Sequence, residues 1–159
     1  GGYGGLCRVV RKINPVASYV MVDLPCSIAL QYLYLNTIMP DGAVEIFDGK
    51  GIAEGKVTLV PSTRLNEIPK TYSADVFISS WALSESSREA QKVVSDLQFF
   101  GAKTGLLIHQ HSSDGHPHAD AAAEIFQNNF ICTKASSFPY WEDQTILLGE
   151  NDPSNSLEV

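Results

Sequence analysis

Gly1-Gly2-Tyr3-Gly4-Gly5 runs without a break into Leu6-Cys7-Arg8-Val9-Val10-Arg11-Lys12-Ile13, and Tyr19-Val20-Met21-Val22-Asp23 follows. Four glycines around one tyrosine allow a tight backbone bend that a ligand can approach without side chains in the way. Residues 6–13 carry apolar side chains at helical spacing, with basic residues near the end, where the helix dipole favours them. Asn14-Pro15 stops that helix. Residues 18–24 are continuous, short and rich in β-branched residues, which predicts a parallel strand buried on both faces. A glycine bend, a helix, a strand and an acid about twenty residues on is how open α/β sheets hold a nucleoside-containing cofactor. The strand that should feed such a bend would precede Gly1, so the chain is expected to start inside its own cofactor loop.

Outward from this stretch the pattern keeps alternating. Pro25 can begin a helix, and residues 27–38 read as one, with Ile28, Leu30, Leu33, Leu35 and three polar breaks. Tyr32 and Tyr34 lie about 200° apart on a helical wheel, so one should face inward and one outward. Residues 39–56 are loop-like, with a short extra strand over 43–47. Strands are predicted over 57–60 and 74–80. A helix is predicted over 84–99, capped by Ser84, Ser86 or Ser87, with Ala90, Val93, Val94 and Leu97 on one side and Gly101 ending it. A strand over 104–109, an alanine-rich helix over 117–128 and strands over 130–136 and 144–148 complete the order. The last two strands flank the turn Phe138-Pro139-Tyr140-Trp141 and should form an antiparallel edge pair. This order specifies an α/β fold, a mostly parallel sheet with helices on both faces. One domain is expected over 1–150, with a polar tail over 151–159.

The 159 residues suffice for a real core. A net charge of −7 argues against nucleic-acid binding, which relies on clustered Lys and Arg. No apolar run is long enough to span a bilayer and no signal peptide is visible, so a cytoplasmic protein is expected. Three cysteines, Cys7, Cys26 and Cys132, stand at unpatterned spacing and read as three reduced and mostly buried thiols. Every histidine of the chain (His109, His111, His116 and His118) falls in one short span. No ligand set is completed there, and no metal is expected.

The terminal hairpin separates two families, because dinucleotide-binding dehydrogenases continue with further parallel units. The chain resembles the class I S-adenosylmethionine-dependent methyltransferases along nearly its whole length, and more narrowly a bacterial group of sugar O-methyltransferases. The matching segments are GGYGGL at 1–6, VMVDLP at 20–25, QYLYL at 31–35 and ISSWALSES at 78–86. The resemblance implies a seven-stranded, Rossmann-like sheet with an antiparallel C-terminal hairpin and its first strand missing. That strand would have been the sheet partner of both the second strand and the 75–80 strand.

The resemblance also assigns roles. Gly1, Gly2 and Gly4 would bend beside the methionine part of S-adenosylmethionine, with Gly5 serving helix–strand packing. Asp23, with Leu24 beside it, would accept the ribose hydroxyls. Asp23 has a second reading as the cap of the following helix. Val60-Pro61-Ser62 would edge the adenine. Ser79, Ser80 and Trp81 would line the methionine and the transferred methyl, although Trp81 also suits simple packing. Glu85 would serve the acceptor, or the first turn of its helix. From its position at a strand's carboxyl edge, and not from the resemblance, His111 is the first choice for the base that takes a hydroxyl proton, with a loop histidine in water as its other reading. The expected activity is methyl transfer to a hydroxyl of a small sugar or glycoside; the oligomeric state is left open. Three other readings stay open: an NAD(P)-linked oxidoreductase, a non-catalytic interaction domain of the same fold, and a metal-dependent methyltransferase. The dinucleotide pattern read from Gly2 would require glycine where Cys7 stands, which counts against the first.

Overall fold

The computed structural model describes residues 2–138 and 141–151. The chain divides into two compact units, Gly1–Pro69 and Lys70–Val159. The first unit holds α1 (Gly5–Ile13), β1 (Tyr19–Asp23), α2 (Pro25–Ile38), β2 (Val44–Ile46) and β3 (Val57–Pro61). Its sheet has the order β1-β3-β2 and is parallel throughout. The second unit holds β4 (Val76–Ser80), α3 (Arg88–Asp96), β5 (Thr104–Gln110), α4 (Ala119–Asn129), β6 (Phe130–Phe138) and β7 (Trp141–Asn151). Its sheet has the order β4-β5-β7-β6. β4 and β5 are parallel, and β7 lies antiparallel to both β5 and β6. The fold is therefore α/β with one parallel and one mixed sheet, and the terminal strands form the antiparallel pair their sequence predicts.

Each unit has its own apolar cluster. Cys7, Met21, Ile28, Leu35, Val44, Val57 and Leu59 pack together in the first. In the second, Phe99, Phe126 and Phe130 form a trio of ring contacts beside Leu107 and Leu147. Tyr34 packs against the first cluster while Tyr32 is exposed, as the helical wheel requires.

Several boundaries differ from the sequence reading. β1 is not buried on both faces: of its residues only Met21 is buried, and among the described residues the strand lies at the edge of its sheet, paired with β3. α2 starts at Pro25, two residues early, with proline in its first turn. The largest correction concerns residues 84–99. Ser84 and Ser86 do not cap a helix; their hydroxyls bond the carbonyls of Trp81 and Leu83 in a turn. α3 begins only at Arg88, capped by Ser87, whose Oγ accepts from Ala90 N. It ends at Asp96, before Gln98, Phe99 and Phe100 take left-handed backbone angles. The buried position on α3 is Gln91, and Ala90 is exposed. Asn151 belongs to β7, and the rest of the expected tail, residues 152–159, lies outside the described residues. So do Pro139 and Tyr140 of the expected turn.

Candidate functional site

In the first unit the glycine bend and Asp23 converge on one side chain. Gln31, on α2, is fully buried. Its Nε2 donates to the Gly2 carbonyl at 2.8 Å and to Asp23 Oδ2 at 2.8 Å. Asp23 ends β1, and its Oδ1 accepts from Leu24 N at 2.8 Å. The N-terminal cap position of α2 is taken by Leu24, with no side-chain cap. The Asp23 carboxylate thus bonds Gln31 and its own neighbour's amide, and the capping alternative for Asp23 has no support. β1 and β3 pair so that Asp23 stands opposite Pro61, which puts Pro61 and the following Ser62 beside the acid at the same carboxyl edge of the sheet.

The glycines divide differently from the sequence reading. Gly2 has φ +63° and open space where a Cβ would point, so the bend presents bare backbone there. Gly4 has φ +104°, and a Cβ on it would lie 3.1 Å from the Leu35 side chain. Gly4 therefore packs against α2 as well as bending, and a Cβ on Gly5, the glycine read for packing, would lie 3.3 Å from the Tyr3 hydroxyl oxygen, so both positions are tight. Gly1 lies outside the described residues. Cys7 is fully buried in the apolar cluster, and burial pushes its thiol up to about 11; Cys26 and Cys132 are exposed, against the expectation that most of the thiols are buried. A buried side chain thus stands at position 7, where a dinucleotide site needs a glycine for close helix–strand contact.

In the second unit the carboxyl ends of β4 and β5 carry a dense polar network. Ser79 is buried, and its Oγ accepts from Leu83 N at 3.0 Å. Ser80 ends β4 opposite Ile108. Trp81 has φ +63°, a costly conformation for a bulky side chain. Its backbone N donates to the Ile108 carbonyl at 2.8 Å, and its Nε1 to Gln144 Oε1 at 2.9 Å. Ser84 and Gln110 are hydrogen-bonded through Oγ and Oε1 at 3.0 Å. Glu85 is exposed and its backbone N bonds the Trp81 carbonyl.

The histidines do not share one environment. His109 is buried near the end of β5, and desolvation depresses its pKa. His111 is exposed just past the strand, with Nδ1 3.1 Å from Asp120 Oδ1. Asp120 is held in turn by Ser112: the backbone N of Ser112 donates to Oδ2, and Ser112 Oγ accepts from Asp120 N. The hydrogen bond from His111 pulls the Asp120 carboxyl below its ordinary range. A carboxylate accepting from Nδ1–H leaves the lone pair on Nε2, the tautomer a general base requires. Among the described residues no group of three or more His, Cys, Asp or Glu side chains is placed to hold a metal ion.

Sequence reasoning missed Gln31 and Asp120 as site residues. Gln31 had a legible signal, being a polar residue at the position between Ile28 and Leu35 where the buried stripe of α2 calls for an apolar one. Asp120 had a weaker signal, an acid in the first turn of the helix that follows the histidine loop.

No protein-family model matches the chain, and no curated protein matches it. Solved structures do. The mitomycin 7-O-methyltransferase MmcR matches with a TM-score of 0.61 at 12% identity, over 96% of this chain and 47% of its own. The S-adenosylmethionine-dependent methyltransferase SibL, in its apo form, matches with a TM-score of 0.57 at 11% identity, over 95% and 48%. A LepI variant in complex with SAH and a substrate analogue matches with a TM-score of 0.59 at 9% identity, over 96% and 41%. The chain spans about half the length of these proteins or somewhat less. It shares the α/β fold of S-adenosylmethionine-dependent methyltransferases. No helix among the described residues is long and apolar enough to cross a membrane.

Proposed function

We propose that this chain is the catalytic part of an S-adenosylmethionine-dependent O-methyltransferase acting on a hydroxyl of a small sugar or glycoside. The observation that carries the reading is the Gln31 amide, which ties the Gly2 carbonyl and the Asp23 carboxylate side by side at 2.8 Å each. The residues fit the cofactor. Gly2 offers open backbone, and Asp23 offers an acceptor at a strand's carboxyl end, where open α/β sheets bind ligands. Pro61 and Ser62 stand next to that acid for the adenine side. MmcR and SibL, named as methyltransferases, share the fold, and Cys7 at a glycine position weighs against the NAD(P) alternative.

Within this reading Gly2 and Gly4 shape the bend, and Asp23 and Leu24 hold the ribose. In the second unit, Ser79, Ser80 and Trp81 stand at the strand end that the resemblance assigns to the methionine part. Glu85 is exposed and available to an acceptor. When bound, S-adenosylmethionine supplies a sulfonium methyl that is already strongly electrophilic. The protein's own work is then alignment and proton removal. His111, oriented through Nδ1 by Asp120, takes the hydroxyl proton at Nε2 as the oxygen becomes the nucleophile. A sugar hydroxyl is a poor nucleophile at neutral pH, so a base at this position has a task to do.

The test has two parts on the full-length protein. Titration calorimetry should show binding of S-adenosylmethionine and none of NAD or NADP; the converse defeats the proposal. Transfer of labelled methyl to a panel of glycosides should follow, and a cofactor-binding protein that methylates none of them is a binding domain.

A further inference from the structure

We infer that Gln31 is a positioning residue, one that sets the Asp23 carboxylate and the glycine bend in their binding arrangement before the cofactor arrives. This rests on the reading of Asp23 as the ribose ligand. Gln31 sits between Ile28 and Leu35 on the buried stripe of α2, beside an otherwise apolar cluster. An apolar side chain of the same length would fill that place without a polar penalty. The glutamine instead leaves its own Oε1 buried with no hydrogen-bond partner among the described residues, as Gln91 Oε1 and Gln110 Nε2 are in the second unit, each at a desolvation cost. The orphaned atom therefore does not set Gln31 apart; what its nitrogen holds does.

The other end of the amide supplies the reason. Its nitrogen is committed to two acceptors, one from the loop before α1 and one from the end of β1. Both partners are oxygens that only accept, so only the NH₂ end can face them, and the orientation of the amide is fixed by chemistry. One of the two bonds is charge-assisted. The result couples two segments far apart in the sequence (Gly2 and Asp23) through one buried, rotationally locked group. Holding a ligand carboxylate in place ahead of binding removes an ordering cost from the binding step.

Two substitutions test this, with S-adenosylhomocysteine as the probe and thermal unfolding of the ligand-free protein as the control. Gln31→Met keeps the volume and removes both donors and the orphaned oxygen. Affinity should fall roughly tenfold, the worth of one charge-assisted hydrogen bond, while the melting temperature holds or rises. A merely structural residue would lower stability instead. Gln31→Glu places a third acceptor against the Asp23 carboxylate and the Gly2 carbonyl. Affinity should be weak at pH 8 and recover towards pH 5, as the introduced carboxylate takes a proton and can donate again, relative to the wild type measured in parallel. Unchanged affinity in both variants, in a wild type that binds the probe and loses it on Asp23→Ala, overturns the positioning role and leaves the cofactor reading intact. A wild type that ignores the probe overturns the cofactor reading itself, and this inference with it.

Discussion

The carboxyl end of β1 and the carboxyl ends of β4 and β5 are both rich in polar side chains, yet they use their hydrogen bonds differently. In the first unit a single buried amide joins a loop to a strand-end acid; the orphaned amide atom is common to both units, Gln31 Oε1 in the first and Gln91 Oε1 and Gln110 Nε2 in the second, among the described residues. In the second, the polar groups mostly bond one another and the nearby backbone. Ser79 holds Leu83 N, Ser84 holds Trp81 and Gln110, and Trp81 holds Gln144. Gln91, buried on α3, has the same kind of duty and donates to the carbonyls of Leu83, Ser86 and His118. The first arrangement holds the acid that we propose as the ribose ligand. The second secures a turn that leaves Trp81 in a strained backbone conformation; Glu85 lies in that turn and is exposed, while His111 lies past the end of β5.

This contrast can be broken in four places. The largest effect belongs to the second unit's exposed dyad. His111→Ala should cut methyl-transfer turnover by about 10²–10⁴-fold, the usual worth of a general base, with cofactor affinity preserved; an unchanged rate in a single-turnover assay would remove His111 from the reaction. Next is the first unit's acid. Asp23→Ala should weaken S-adenosylmethionine binding by roughly 1.5–3 kcal/mol, the range of hydrogen bonds to a charged group, as read by calorimetry. Asp23→Asn should lose less.

Ser79→Ala should act on stability instead, because it leaves the Leu83 N–H buried without its acceptor, at a cost of about 1–3 kcal/mol in urea unfolding. A loss of cofactor binding with no loss of stability would move Ser79 from scaffold to ligand. The smallest effect comes from His109. Burial favours its neutral form in the folded chain, so as pH falls below its ordinary value of 6.5 the unfolded chain takes up a proton first. Its contribution to folding stability is fully present above that pH and declines below it. Denaturant unfolding at pH 5 and 7 should show this slope, and His109→Gln should flatten it.

The parts of the fold that depend on local pattern were legible in the sequence. Strand residues 57–60 and 76–80, the helix after Pro25 and the antiparallel final pair all follow from periodicity and from proline and glycine placement. The helix over 84–99 was overread because serine-rich segments suit helix caps and turns equally, and the sequence does not say which carbonyl each hydroxyl will reach. The packing role of Gly4 is not legible in the sequence for a similar reason: its close neighbour Leu35 stands on a helix some thirty residues away.

By itself the sequence determined that a glycine bend, a helix, a strand and an acid follow one another in the order of an α/β nucleoside site. It also placed a histidine past the end of a later strand. Such features are encoded by neighbouring residues, whose conformational preferences act over a few positions. Tertiary structure alone decided that Gln31 would reach back to both Gly2 and Asp23, and that Asp120 would face His111. Those contacts join residues set far apart along the chain, and only the packing of helix against strand brings their polar atoms within bonding distance.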